Sequence, residues 1–151
     1  MDIPEEEWDR VMRVNIRGSW QCAKAAVPAM QKNKYGKIIN IASGTVFKGT
    51  PMLLHYVTSK GAIVAMTRAL AREVGDHNIC VNALAPGLTA SEAVAKSAEW
   101  ATAKVGNIGT RAFKREEVPE DLIGAMLFLC SKDSDFMTGQ TIVVDGGSVM
   151  H

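Results

Sequence analysis

The chain has 151 residues, enough for one domain with a real core and too few for two of ordinary size. It is 47% apolar and 22% charged, with a formal net charge of +1, a balance that offers nucleic acid no electrostatic footing. No apolar run approaches the roughly 18 residues of a membrane span, so no membrane partner is expected. With no signal peptide in view, a cytoplasmic location is the expectation. Cys22, Cys80 and Cys130 are too scattered for a disulfide framework or a zinc ligand set, and His55, His77 and His151 form no ligand motif, so no metal is expected.

The first predicted element is a helix over about 5–31. Asp2 is placed to cap it, with Glu5 three residues on as in a capping box and Pro4 inside the first turn. Trp8, Val11, Met12, Ile16 and Trp20 recur at helical spacing. "KNKYGK", 32–37, reads as the polar end of that helix entering a turn, and "KIINIAS", 37–43, as a buried parallel strand. A second helix spans about 56–75, striped by Ala62, Met66, Ala69 and Leu70. "ICVNALAPG", 79–87, gives a second strand broken by Pro86-Gly87. A short Ala-rich helix over 91–105 and another over 118–131 follow, then a third strand within 139–147. Strands alternating with helices predict an α/β fold with three parallel strands and flanking helices, joined by right-handed crossovers.

Tyr56 and Lys60 stand at i and i+4, one turn apart on one helix face. An ammonium beside a phenol favours the phenolate, which suits a tyrosine for passing a proton to a carbonyl oxygen or taking one from an alcohol. The same spacing also fits two residues that only pack and solvate a helix. Ser43 falls at the C-terminal end of the first strand, the end at which open parallel sheets bind ligands. Pro86 and Gly87 stand just beyond the second strand, where their backbone, with Thr89 and Ser91, offers a lining for a flat amide-bearing ligand. Asn15 lies mid-helix among apolar neighbours near Gly18, unfavourable by propensity, and is a candidate for holding a water near the lysine. Thr45, Val46, Phe47, Met52, Leu53 and Trp100 suggest an apolar pocket rim, with core or interface as the equal alternative.

Taken together, these motifs resemble the C-terminal portion of a classical short-chain dehydrogenase/reductase. Asn15, Ser43, Tyr56 and Lys60 match the family's Asn-Ser-Tyr-Lys tetrad in order, and "INIAS", "YVTSKGAI", "TRALARE", "VNALAPG" and "TGQTIVVDGG" match its successive signatures. The resemblance covers the whole chain and implies a partial Rossmann-like, doubly wound domain over 1–151 with no second domain. It implies hydride transfer between NAD or NADP and an alcohol or ketone, and the apolar rim favours a non-polar one over a sugar. Tyr56 would be the acid/base, Ser43 would orient the substrate carbonyl, and Lys60 would bond the nicotinamide ribose. Asn15 would hold a water of a proton relay. Pro86, Gly87 and Leu88 would contact the nicotinamide, with Thr89 and Ser91 beside them, and 91–110 would be a variable lid. The helices around 5–31 and 56–75 would build a homo-oligomer.

The family's glycine-rich turn for the cofactor pyrophosphate is not among these residues, nor is its "NNAG" segment. Two expectations follow: a fragment of a dehydrogenase, or a short product acting only as a helix-mediated dimerisation or interaction module. Either way the first strand is expected to show an unpaired edge.

Overall fold

The computed structural model describes residues 2–96 and 98–150. In chain order, α1 (Glu5–Met12) passes through a π turn (Arg13–Arg17) into α2 (Gly18–Asn33), followed by β1 (Gly36–Ile41), the short α3 (Thr45–Lys48) and the long α4 (Leu54–Val74). Then come β2 (Ile79–Pro86), α5 (Glu92–Ala95), α6 (Ala98–Thr110), α7 (Glu120–Cys130) and β3 (Thr141–Val144).

The sheet is parallel, in the order β1-β2-β3. β2 is central because its sequence, ICVNALAP, is apolar on both faces apart from Asn82, and only its last residue escapes full burial. Its register runs from Gly36↔Ile79 to Ile41↔Leu84 on one side and from Ala83↔Thr141 to Pro86↔Val144 on the other. Ile79, Val81, Ala83 and Ala85 pack under α4 against Ile63, Val64, Ala71 and Val74. By strand alternation Cys80, Asn82 and Leu84 face the opposite side, where the Asn82 amide donates to the Met137 carbonyl at 2.7 Å. Ile63, Ile79, Leu84 and Leu129 are fully buried, and each such side chain contributes about 1.5–3 kcal/mol.

The α/β class and all three strands are as the sequence indicates, and β1 is paired on one side only among the described residues. Several boundaries differ. The N-cap is Pro4, not Asp2: its carbonyl takes the Trp8 N–H at 3.0 Å, and no side chain caps the helix. A proline with φ fixed near −59° and ψ at 143° ends the extended lead-in directly before Glu5, leaving Asp2 two residues ahead of the cap position. The single helix expected over 5–31 runs on to Asn33 and carries the π turn. Lys34, in the left-handed conformation, closes it as "KNKYGK" leads into β1. The helix expected over 91–105 is two helices, α5 and α6. The third strand is only Thr141–Val144, since Gly139, Gly146 and Gly147 on either side adopt positive φ.

The start of α7 shows how one side chain replaces a missing cap. Both Asp121 carboxylate oxygens take Arg115 N–H groups at 2.6 Å, and Oδ2 also takes the Val118 N–H at 2.9 Å. The Arg115 guanidinium, then the Val118 amide, hold this carboxyl down at about 2. A depressed carboxylate stabilises the fold above its ordinary value near 3.8, and that contribution is lost as pH falls through about 2. Asp121→Asn is therefore expected to melt below the parent at neutral pH and together with it below about pH 2, which calorimetry across pH checks.

Candidate active site

α4 presents Tyr56 and Lys60 one turn apart, with the Lys60 ammonium 5.7 Å from the centre of the Tyr56 ring. Lys60 Nζ donates to the Ile41 carbonyl, the last of β1, at 2.8 Å, so the strand end fixes the lysine. Burial lowers its pKa below the ordinary lysine value. The Tyr56 hydroxyl makes no hydrogen bond among the described residues. Ser43 lies two residues beyond β1 rather than within it, and is buried. Its Oγ accepts from Thr45 Oγ1 at 3.0 Å and from the Thr45 N–H at 3.3 Å, a turn that α3 stabilises.

Asn15 sits at the middle of the π turn. Such turns shift the hydrogen-bond ladder by one residue and often occur at functional sites. Here the Asn15 carbonyl accepts from Ser19 Oγ at 2.8 Å. Its side-chain amide donates to Ser59 Oγ at 2.9 Å, and Ser59 donates in turn to the Tyr56 carbonyl at 2.7 Å. An asparagine poorly suited to a helix interior thus ties the first helix to the turn of α4 that carries Tyr56 and Lys60.

From the last residue of β2, Pro86-Gly87-Leu88-Thr89 runs between the ends of its two neighbours. Gly44 N–H donates to the Pro86 carbonyl and Gly87 N–H to the Val144 carbonyl, both at 2.9 Å. Thr89 and Ser91, read in sequence as possible ligand contacts, are committed within the protein. Thr89 Oγ1 donates to Glu117 Oε1 at 2.8 Å, and Ser91 Oγ caps α5 by accepting the Val94 N–H. The expected pocket rim splits. Phe47 packs against the core, Thr45 holds Ser43, Leu53 caps α4, and Met52 is 92% exposed with a positive φ. Trp100 is half-buried on α6. A small cavity lies instead between α6 and the segment after β2, lined by Leu88, Ala90, Val94, Lys104 and Ile108 among others.

The family model described as enoyl-(acyl carrier protein) reductase matches residues 1–149. The chain belongs to the short-chain dehydrogenase/reductase family. It is 38% identical over 151 residues to dehydrogenase/reductase SDR family member 4 of Bos taurus, covering 100% of this chain and 54% of that protein. The structure of a 3-oxoacyl-(acyl-carrier protein) reductase from Brucella melitensis superposes with a TM-score of 0.91 at 32% identity, covering 99% of this chain and 56% of that one. A gluconate 5-dehydrogenase from Burkholderia cenocepacia, solved with NADP and tartrate, superposes at 0.89 and 31% identity, covering 97% and 58%. The chain thus spans little more than half the length of these relatives.

In this short-chain dehydrogenase/reductase chain, a buried polar cluster that the sequence did not announce lies beneath the 86–89 loop. Arg111, almost fully buried, donates to the Leu88 carbonyl at 2.8 Å and the Arg115 carbonyl at 2.9 Å, and stands 3.6 Å from Glu117 Oε2. Asp145, also buried, accepts the Gly147 and Ser148 N–H groups at 3.0 Å. Burial pushes the Glu117 carboxyl above its ordinary range; Thr89 and Arg111 oppose that shift, and the neighbouring Asp145 charge adds to it. A carboxyl raised in the folded state makes stability fall as pH climbs from its ordinary value near 4.5 through the raised one. Glu117→Gln is expected to flatten that decline in a pH series of melts. Ser59 was equally silent in sequence, since a serine in a helix carries no signal of its partner. Glu117, in "REEV", stands beside Thr89 in an isolated parallel bridge and is buried, an arrangement that no sequence motif marks.

No helix among the described residues is long and apolar enough to cross a membrane.

Proposed function

We propose that this chain carries the acid/base centre and the nicotinamide-facing surface of an NAD(P)-dependent oxidoreductase that interconverts an apolar alcohol and its ketone. The observation that carries this reading is the Lys60 ammonium, anchored on the end of β1 and one turn from a Tyr56 hydroxyl without a partner among the described residues.

The residues fit a nicotinamide nucleotide. Lys60 has three donor protons and one is used by Ile41, so two are left for ribose hydroxyls. Gly87, where a Cβ would meet Glu117 and Asp145 behind the loop, lets the loop lie close on its support and leaves its outer backbone for a flat ring. Bound there, the cofactor supplies or accepts the hydride. In the reduction, Tyr56 delivers a proton to the carbonyl oxygen and Ser43 donates a hydrogen bond to the same atom; in the oxidation, Tyr56 takes the alcohol proton. Lys60 holds the cofactor ribose and the electrostatic environment of Tyr56. Asn15 acts through Ser59 to fix the turn of α4, beside its expected role in a water relay. Pro86, Gly87, Leu88 and Thr89 face the nicotinamide, and Ser91 starts the lid. Trp100, Leu53 and Met52 remain the proposed substrate rim, with Thr45 and Phe47 shaping it from behind.

The relatives' names support the class: the Burkholderia dehydrogenase was solved with NADP. The reading includes a cytoplasmic setting and a homo-oligomer through the helices around 5–31 and 56–75, where Val14 and Trp20 are exposed. The test is oxidation of NADH or NADPH by a panel of apolar ketones, followed by absorbance. Turnover with Lys60→Ala weakened at least about tenfold in cofactor affinity is the expected result. Lys60→Ala turning over and binding like the parent would contradict it.

A further inference from the structure

The buried cluster beneath the 86–89 loop has a definite arrangement. Glu117 is only 4% exposed and sits on the loop from below: Oε1 takes the Thr89 hydroxyl, its carbonyl takes the Ala90 N–H at 2.7 Å, and Oε2 faces Arg111. Arg111 in turn holds the Leu88 carbonyl. The contact is close enough that a Cβ on Gly87 would lie 2.5 Å from Glu117 Oε2. Three buried polar atoms of this cluster, Arg111 Nε, Glu117 Oε2 and Asp145 Oδ2, have no hydrogen bond. Burying charged groups this incompletely paired costs free energy, so a fold retains them at a cost that a purely apolar support would avoid. What the cluster delivers is orientation: every hydrogen bond it makes to the loop fixes a backbone or hydroxyl group of Leu88, Thr89 or Ala90.

We propose that Glu117 is a positioning residue, its carboxyl seated between Thr89 and Arg111 so as to lock the 86–90 segment at the height at which it faces the nicotinamide. Cofactor affinity then depends on a side chain buried behind the loop. This rests on the function proposed above. An acceptor oxygen is required at Oε1, so Glu117→Gln, which keeps one for the Thr89 hydroxyl, preserves the lock, and Glu117→Ala releases it. Thr89→Val removes the same bond from the other side with less risk to folding.

The test has two readouts. In hydrogen exchange, residues 87–90 of Glu117→Ala and Thr89→Val are expected to exchange at least about tenfold faster than the parent, with Glu117→Gln close to it. In steady-state kinetics with NADH or NADPH, the first two variants raise the cofactor KM about tenfold at nearly constant kcat, and Glu117→Gln restores it. Unchanged exchange in both variants overturns the lock. Faster exchange with an unchanged KM overturns the positioning role. Tyr56→Phe run in parallel separates the two readings: its loss of turnover leaves the proposed function standing whichever way Glu117 falls, and full turnover there brings down both.

Discussion

Tyr56→Phe is expected to lower turnover by about 10²–10⁴-fold while leaving the fold and cofactor affinity nearly intact. The substitution removes one hydroxyl that makes no hydrogen bond among the described residues, so nothing structural depends on it. The ring stays, and with it the packing under the Lys60 ammonium 5.7 Å away. Only the proton donor proposed for the carbonyl oxygen is lost. Ser43 is a poor replacement: an aliphatic hydroxyl is a far weaker acid than a phenol, so it donates a hydrogen bond to that oxygen without giving up its proton. Rate assays with matched thermal melts check the prediction, and a variant with full turnover and an unchanged melt would assign the proton to another group.

Gly87→Val carries the second large effect, this time on the fold. A Cβ at Gly87 would meet Glu117 Oε2 at 2.5 Å, Asp145 Cβ at 2.8 Å and the Asp145 backbone at 3.1 Å. The glutamate tip can swing aside, but only by leaving Thr89 and Arg111. The Asp145 backbone has no such freedom, because its neighbours are held by Gly87 N–H to Val144 and by the Asp145 carboxylate to Gly147 and Ser148. Overpacking of this kind costs about 1–3 kcal/mol, which for a chain of this size lowers Tm by roughly 2–4 °C per kcal/mol. Calorimetry measures the loss, and the cofactor contacts proposed for the loop are expected to be lost with it. A Gly87→Val variant as stable as the parent would mean that the loop stands off its support.

Much of this architecture was legible in sequence for simple reasons. "ICVNALAP" is a buried strand because it is apolar on both faces, and α4 shows the helical period that puts Tyr56 and Lys60 one turn apart. Local chemistry was less legible. The π turn at Arg13–Arg17 leaves no mark in the apolar spacing, and its reason, the Asn15 contact with Ser59, spans 44 residues of sequence. Pro4 rather than Asp2 opens the first helix because backbone geometry outweighed the capping pattern. Thr89 and Ser91 looked free for a ligand because sequence showed neither Glu117 below the loop nor the α5 N-terminus. The Glu117–Arg111 pair was hidden for the same reason: a charge run reads as solvated until the fold turns one of its members inward.

The most direct measurement is a titration of the isotopically labelled chain with reduced nicotinamide mononucleotide, which carries the nicotinamide and its ribose without the adenosine half, followed by amide chemical shifts. The expected result is saturable shifts at Ser43, Tyr56 and Lys60 and at Gly87, Leu88 and Thr89, lost in Lys60→Ala. Shifts confined to other parts of the surface, or a Lys60→Ala variant that responds like the parent, would contradict the assignment of the nicotinamide site to this end of the sheet.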